Sequence, residues 1–290
     1  MEDGDYRRRP PLRTSDFSPE EVCFLTTVHT LASGSSGNAL LLSCGESHLL
    51  LDAGISCRRV TAALRELGLE PGSLSAILIT HTHADHIAGL QTLLKRCGAP
   101  VCATERAARE LAWRLPDAEP RLEVLDFGAA QSIGDVVVTA VPTSHDAPGS
   151  CGFRLDTADG AVGVLTDTGY VTDEAADALL GVDLAVLEAN HDIEALRSGP
   201  YPYYLKQRIL GPQGHLSNTD AASFAAALAE SGASEIILAH LSRENNTPAM
   251  AQTAVEQALS AAGVSPLLSV APRDCLGPAH VVCRRNVCKR

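Results

Sequence analysis

The chain lacks a long apolar run. No stretch reaches the ~18 consecutive apolar residues of a membrane-spanning helix, so no membrane span is expected. Residues Met1 to about Glu21 are polar, charged and rich in Arg and Pro, without the apolar segment of a secretory signal. Residues 1–22 therefore read as a flexible extension. No internal repeat or low-complexity tract is evident. The nine cysteines are an odd number without framework spacing. Most lie in apolar patterns (Cys44, Cys102, Cys151, Cys283), where a free thiol behaves as a small hydrophobe. A reduced, cytoplasmic protein is expected. Cys275, Cys283 and Cys288 could form a second metal site, but their spacing matches no zinc knuckle. Positive charge is also scarce: 23 Lys and Arg stand against 35 Asp and Glu, a net charge of −12. That argues against broad nonspecific coating of nucleic acid. It leaves room for a local basic strip or bound metal ions to supply a positive field.

Hydrophobic residues make up 45% of the 290 positions, enough for a sizeable single-domain α/β core. The chain is organised around Ala76-Ile77-Leu78-Ile79-Thr80-His81-Thr82-His83-Ala84-Asp85-His86. A short apolar run reads as a buried strand. It delivers His81, His83, Asp85 and His86 within six positions. Ligands sharing one helix face sit three or four apart. The spacing here is two, two and one, so the donors must leave a loop at the strand's carboxyl end, ahead of a helix over Ile87 to about Cys97. Imidazole and carboxylate suit zinc, manganese or iron. Four donors this crowded point to two adjacent ions, and the bland alternative is a solvated polar loop.

Other segments follow the same rule of polar residues at strand ends. Phe24–Leu31, Ala39–Ser43 and His48–Leu51 read as early strands around a Gly/Ser loop, Ser33 to Asn38. That loop is either a plain turn or a lip of backbone N–H groups facing an anion. Asp52 is either a turn residue or an acceptor that fixes a ligand imidazole. Arg58 to Gly68 has helical period. Val101–Ala103, Leu122–Leu125, Val136–Val141, Gly152–Asp156, Val162–Leu165, Leu184–Leu187 and Glu235–Ala239 read as strands. Glu105–Leu115, Asp173–Leu180, Ala221–Glu230 and Pro248–Ala262 read as helices. His145 follows one strand, Asp167 another, and His240 the last. Ser144-His145-Asp146 is no Ser-His-Asp triad, because consecutive residues cannot point at one another as required. Tyr201 to Arg208 interleaves three of the five tyrosines with Lys and Arg, which suits either stacking on bases or a packed surface helix.

Together, His81–His86, His145, Asp167, His240 and the early Asp52 resemble the metallo-β-lactamase fold over roughly residues 25 to 275. Within it the chain resembles the YycJ/WalJ-type nucleases. The segments that carry this are Leu31–Asn38, Asp52-Ala53-Gly54, Glu188-Ala189-Asn190-His191-Asp192, Gly214-His215-Leu216-Ser217-Asn218 and His240-Leu241-Ser242. The resemblance implies a four-layer αββα sandwich as the catalytic domain, residues 23–275, with a tail over 276–290. It implies a 5′→3′ exonuclease on double-stranded DNA. His81, His83 and His145 would hold one ion, Asp85, His86 and His240 the other, and Asp167 would bridge them. Such ions sit roughly 3.5–4 Å apart and acidify a bridging water that becomes the nucleophile. Asp85 and Asp167 are thus catalytic as well as ligating. His191 and His215 are candidates to touch the phosphate or protonate the leaving oxygen, or else are structural. The ions expected are Mn²⁺ or Zn²⁺. The long arm that grips tRNA in the related 3′-processing endonucleases is missing, and the Arg-rich start and Cys/Arg-rich end depart from the pattern. Two other functions fit the same donors: an ester, thioester or lactone hydrolase, and a non-catalytic nucleic-acid-binding module. Oligomeric state is not legible.

Overall fold

The computed structural model describes residues 25–284. The expected flexible extension, residues 1–22, and position 288 lie outside them.

The chain first builds β1 (Thr27–Ala32), β2 (Ala39–Cys44), β3 (Ser47–Leu51), β4 (Ala76–Leu78), β5 (Val101–Thr104) and β6 (Leu122–Leu125). It then builds β7 (Ala130–Ile133), β8 (Val136–Pro142), β9 (Cys151–Asp156), β10 (Ala161–Leu165), β11 (Leu184–Glu188), β12 (Glu235–Ala239) and β13 (Leu267–Val270). A last strand, β14 (His280–Val281), returns to pair with β1. Two seven-stranded sheets result, ordered β14-β1-β2-β3-β4-β5-β6 and β13-β12-β11-β10-β9-β8-β7. Strands β3 to β6 run parallel, as do β10 to β13. The segment expected as a tail therefore contributes an edge strand, and His280 Nδ1 donates to Glu235 on β12 at 2.6 Å.

The inner strands of each sheet are buried on both faces, which is why strands such as Ala-Leu-Leu-Leu-Ser-Cys read as continuous apolar runs. Alternation survives inside them. Leu40, Leu42, Leu49, Leu51 and Leu78 point between the sheets with Phe153, Val164, Val186 and Ile237. Leu41, Leu50 and Ile77 point outward, under α1 (Cys57–Glu66), α2 (Ala84–Ile87), α3 (Leu90–Leu93) and α4 (Glu105–Arg114). The outer face of the second sheet is covered by α5 (Asp173–Leu179), α8 (Asn218–Ser231) and α9 (Pro248–Ala261). Between α5 and α8 lie α6 (Ile193–Ser198) and α7 (Tyr203–Leu210). Helix, sheet, sheet, helix is the expected four-layer sandwich. Burying a leucine at such positions contributes roughly 2 kcal/mol.

The expected helix over Ile87–Cys97 is instead two short pieces, and the first begins inside the histidine-rich stretch, placing Asp85 and His86 on its opening turn. The break falls at Gly89, whose N–H donates to Ala53 O at 2.8 Å rather than along the helix. Cys44, Cys102 and Cys151 are free and buried as expected. Cys283 is not: it is disulfide-bonded, so it offers no thiolate for a cysteine metal site. No described helix is long and apolar enough to cross a membrane.

Candidate metal centre

The site lies where the carboxyl ends of β3, β4, β8, β10, β11 and β12 converge. From the first sheet, Asp52 follows β3 and is nearly buried. It accepts hydrogen bonds from Thr80 N at 2.9 Å, Thr80 Oγ1 at 2.9 Å and His86 Nδ1 at 2.7 Å. Asp52 is thus the acceptor that fixes an imidazole, and it shapes the turn leading to the donors. Gly54 completes this corner because a Cβ there would sit 1.6 Å from the Asp85 carbonyl oxygen.

The donors come together. His145 Nε2 lies 3.2 Å from His83 Nδ1, and the His81 ring is 4.6 Å from that of His83 and 5.0 Å from that of His145. Asp85 Oδ2 is 3.7 Å from His86 Nε2 and 3.6 Å from His240 Nε2. Asp167 stands between the two sets: Oδ2 is 3.3 Å from His86 Nε2, and Oδ1 is 3.5 Å from His240 Nε2 and 3.9 Å from His145 Nε2. Ligand atoms of His81, His83 and His145 form one group that could hold an ion, and those of Asp85, His86 and His240 form another. All seven residues singled out as metal donors therefore meet in one place.

The residues present fit a divalent cation. His81 Nε2, His240 Nε2 and Asp167 Oδ2 are buried without a hydrogen-bond partner, which is costly unless something else coordinates them. The electrostatics agree. Burial, then the neighbouring imidazoles, hold His81 well below the usual histidine range, so it is a ready neutral donor. Burial acts the same way on His86, but Asp167 and Asp52 outweigh it and push its pKa up to about 9. His240 is likewise raised despite burial, by Asp167, Asp85 and Glu188. Without a cation, the buried carboxylates recruit protons onto imidazoles, and a metal would take over that charge.

Asp52, Asp167 and His240 also share a backbone state. Their φ values are 61°, 57° and 55°, and they are the positive-φ residues other than glycine among the described residues. Such a conformation costs about 1–3 kcal/mol and persists only where surrounding structure enforces it. Here each residue turns sharply off a strand end so that its side chain meets the others.

Glu188 carries a role that sequence reasoning did not assign. It is fully buried at the end of β11. It accepts from His215 Nδ1 at 2.7 Å, His240 Nδ1 at 2.9 Å and Thr168 N at 3.0 Å. It does for the second sheet what Asp52 does for the first, orienting a donor ring. The signal was present, since Glu188 ends an apolar strand as Asp167 nearly does. His215 stacks 5.3 Å from His240 and lies 5.1 Å from His145, partly open to solvent. His191 belongs to none of these groups; it is buried, neither ring nitrogen has a partner, and burial pulls its pKa down to about 4. Ser144 Oγ donates to Pro212 O at 2.7 Å and His145 Nδ1 donates to Gly214 O at 3.0 Å, which rules out the triad on geometry. The Gly/Ser loop uses the amides of Ser33, Gly34, Gly37 and Asn38 internally or on Arg273 and Asp85. It braces the site and offers few free N–H groups. His29, His48 and His280 pair with Gly277 O, Ser43 Oγ and Glu235, away from the centre.

Two sheets packed face to face, with imidazoles and carboxylates gathered at the carboxyl ends of their strands, are the architecture of the metallo-β-lactamase-fold hydrolases. A family profile described as a beta-lactamase superfamily domain matches residues 47–241. The chain belongs to this superfamily and, within it, to the WalJ/YycJ group. It is 39% identical over 235 residues to Exodeoxyribonuclease WalJ of Streptococcus pneumoniae, covering 80% of this chain and 87% of the relative. It is 37% identical over 236 residues to Exodeoxyribonuclease YycJ of Bacillus anthracis, covering 80% and 89%. The fold is shared with the metallo-beta-lactamase fold protein YhfI from Bacillus subtilis, at a TM-score of 0.67 and 17% identity over 88% of this chain and all of that one.

Proposed function

We propose that this enzyme is a dimetal phosphodiesterase that degrades double-stranded DNA from the 5′ end. The observation that carries the reading is identity of 37–39% to named exodeoxyribonucleases over most of both chains, combined with a complete donor set. The 5′→3′ polarity follows from the family resemblance.

His81, His83 and His145 would hold one divalent ion and Asp85, His86 and His240 the other, with Asp167 shared between them. The donor set of nitrogen and oxygen suits Mn²⁺ or Zn²⁺. When bound, such a pair supplies Lewis acidity, acidifying water and drawing charge from a phosphodiester's oxygens. The chain's own residues do the rest. Asp52 keeps the His86 proton on Nδ1 and leaves Nε2 facing the centre. Glu188 does so for His240. Burial of His81, His86 and His240 keeps bulk water off their donor atoms, which strengthens every charge interaction there. His215 holds its Nδ1 proton against Glu188. We assign its other nitrogen as the proton source for the leaving 3′ oxygen. His191, enclosed and outside the donor groups, is assigned a structural place.

The test is hydrolysis of 5′-phosphorylated duplex DNA with added Mn²⁺, which should release 5′-mononucleotides. Absence of cleavage together with brisk thioester or lactone turnover would reject the reading. Metal analysis finding less than one equivalent, with no turnover of either kind, would favour a binding module instead.

A further inference from the structure

α7 carries groups that the mechanism does not use. Arg208 donates from Nε to Asp146 Oδ2 at 2.6 Å and from Nη2 to Asp146 Oδ1 at 3.1 Å. Asp146 Oδ1 in turn lies 3.6 Å from His83 Nε2 and 3.5 Å from His145 Nε2. The guanidinium thus stands one carboxylate away from the metal donors, yet 52% of its side chain is open to solvent.

Tyr204 precedes Arg208 by four positions and so shares its side of the helix. The residue is 74% exposed. The inward side of α7 is Ile209 with Leu205, so the outward placement of Tyr204 is set by the helix's own packing. The helix is also fixed to the site. Ser144, beside His145, donates to Pro212 O just beyond α7. Gly169, two residues after Asp167, donates its N–H to Ser144 O at 2.8 Å, and a Cβ at Gly169 would lie 2.2 Å from Pro212 O. The turns bearing His145 and Asp167 and the end of α7 form one knot. Tyr170, also largely exposed, sits on it.

Exposed aromatic rings beside a cation fit a nucleotide end, since every base has a face to stack and every linkage carries an anion. Arg–carboxylate and Arg–phosphate forks have the same bidentate geometry. We propose that α7 is the docking face for the terminal nucleotide of the DNA strand: Tyr204 stacks on its base, and Arg208 trades Asp146 for its phosphate. Both are positioning residues, and the proposal rests on the nuclease reading of the centre. Tyr203, one position off that side, plays a smaller part.

The experiment measures anisotropy of a fluorescent 5′-phosphorylated duplex with a frayed 5′ end, together with steady-state cleavage in Mn²⁺. Y204A and R208Q should each weaken binding and raise KM about tenfold, within the range that loss of one stacked base brings. Y204F should bind as wild type does, and Y203A should shift binding less than Y204A. The ratio of duplex cleavage to bis(4-nitrophenyl) phosphate turnover should fall about as far as binding does. Y204A and R208Q that bind and cut duplex like wild type would overturn the proposal. If wild type itself cuts no DNA, the nuclease reading fails. In that case, wild type, Y204A and R208Q binding DNA equally would also reject the docking face, and weaker binding by the variants would uphold it.

Discussion

The two sheets deliver their halves of the centre by different routes. The first sheet supplies His81, His83, Asp85 and His86 from one continuous stretch after β4. The second supplies His145, Asp167 and His240 from the ends of three separate strands, β8, β10 and β12. The first half is encoded locally and is held by Asp52. The second exists only once strand order and register are set, and its ring orientation is held by Glu188. One buried acid per sheet, each gripping Nδ1 of a donor histidine, makes the two halves equivalent in function despite unequal encoding.

The most severe way to break that symmetry is at the residue both halves share. Asp167→Asn should lower activity by at least the roughly 10²–10³-fold that loss of one charge-stabilising group costs. Metal analysis should show fewer ions per chain, with circular dichroism unchanged. His83→Ala, on the locally encoded side, should also lose activity and keep its fold; unchanged turnover would contradict its role.

The two supporting acids give a sharper contrast. Asp52→Asn and Glu188→Gln should each weaken metal affinity by about 10–100-fold. Glu188→Gln should reduce kcat further, because the same carboxylate orients His215. Equal kinetic effects from the two variants would remove His215 from the mechanism.

Proton release is a milder probe of both halves. Burial disfavours the charge, but Asp167 and Asp52 lift His86 to about 9, and His240 is raised as well. With His86 lifted to about 9, the metal-free protein carries that proton at pH 7.5 and should shed it as a metal binds. Calorimetric metal titration in two buffers of different ionisation enthalpy should give different apparent enthalpies. Identical values would mean that the rings are already neutral. The smallest effect belongs away from the centre. Thr247 caps α9 by accepting from Met250 N, and Thr247→Ala should cost about 1 kcal/mol, seen as a lower Tm with kcat/KM retained.

The same contrast explains what the sequence could tell. His81–His86 is readable because strand, turn and ligands are contiguous. Asp167 is readable by its place after an apolar run beside a stretch already rich in metal donors, and His240 is readable through the family resemblance. Glu188 ends such a run too, but its partners His215 and His240 are distant in the chain, so nothing local separates it from a turn residue. The short strand β7, Ala-Gln-Ser-Ile, is largely solvent-facing and has no apolar period to betray it. β13, Leu-Leu-Ser-Val, is apolar but only four residues long and half buried, too short to stand out as a strand. The division of the helix after His86 depends on Gly89 bonding to Ala53, a contact between segments that sequence spacing does not encode.

Asp52, Asp167 and His240 hold torsions that their residue types rarely choose. Their neighbours keep them there, and bound cations would pull the same side chains inward. Taking the ions away leaves three corners wound against their grain. The metal-stripped enzyme should then be the fragile form in storage, melting earlier and loosening first at these corners, while loading adds stability in proportion to the logarithm of free metal.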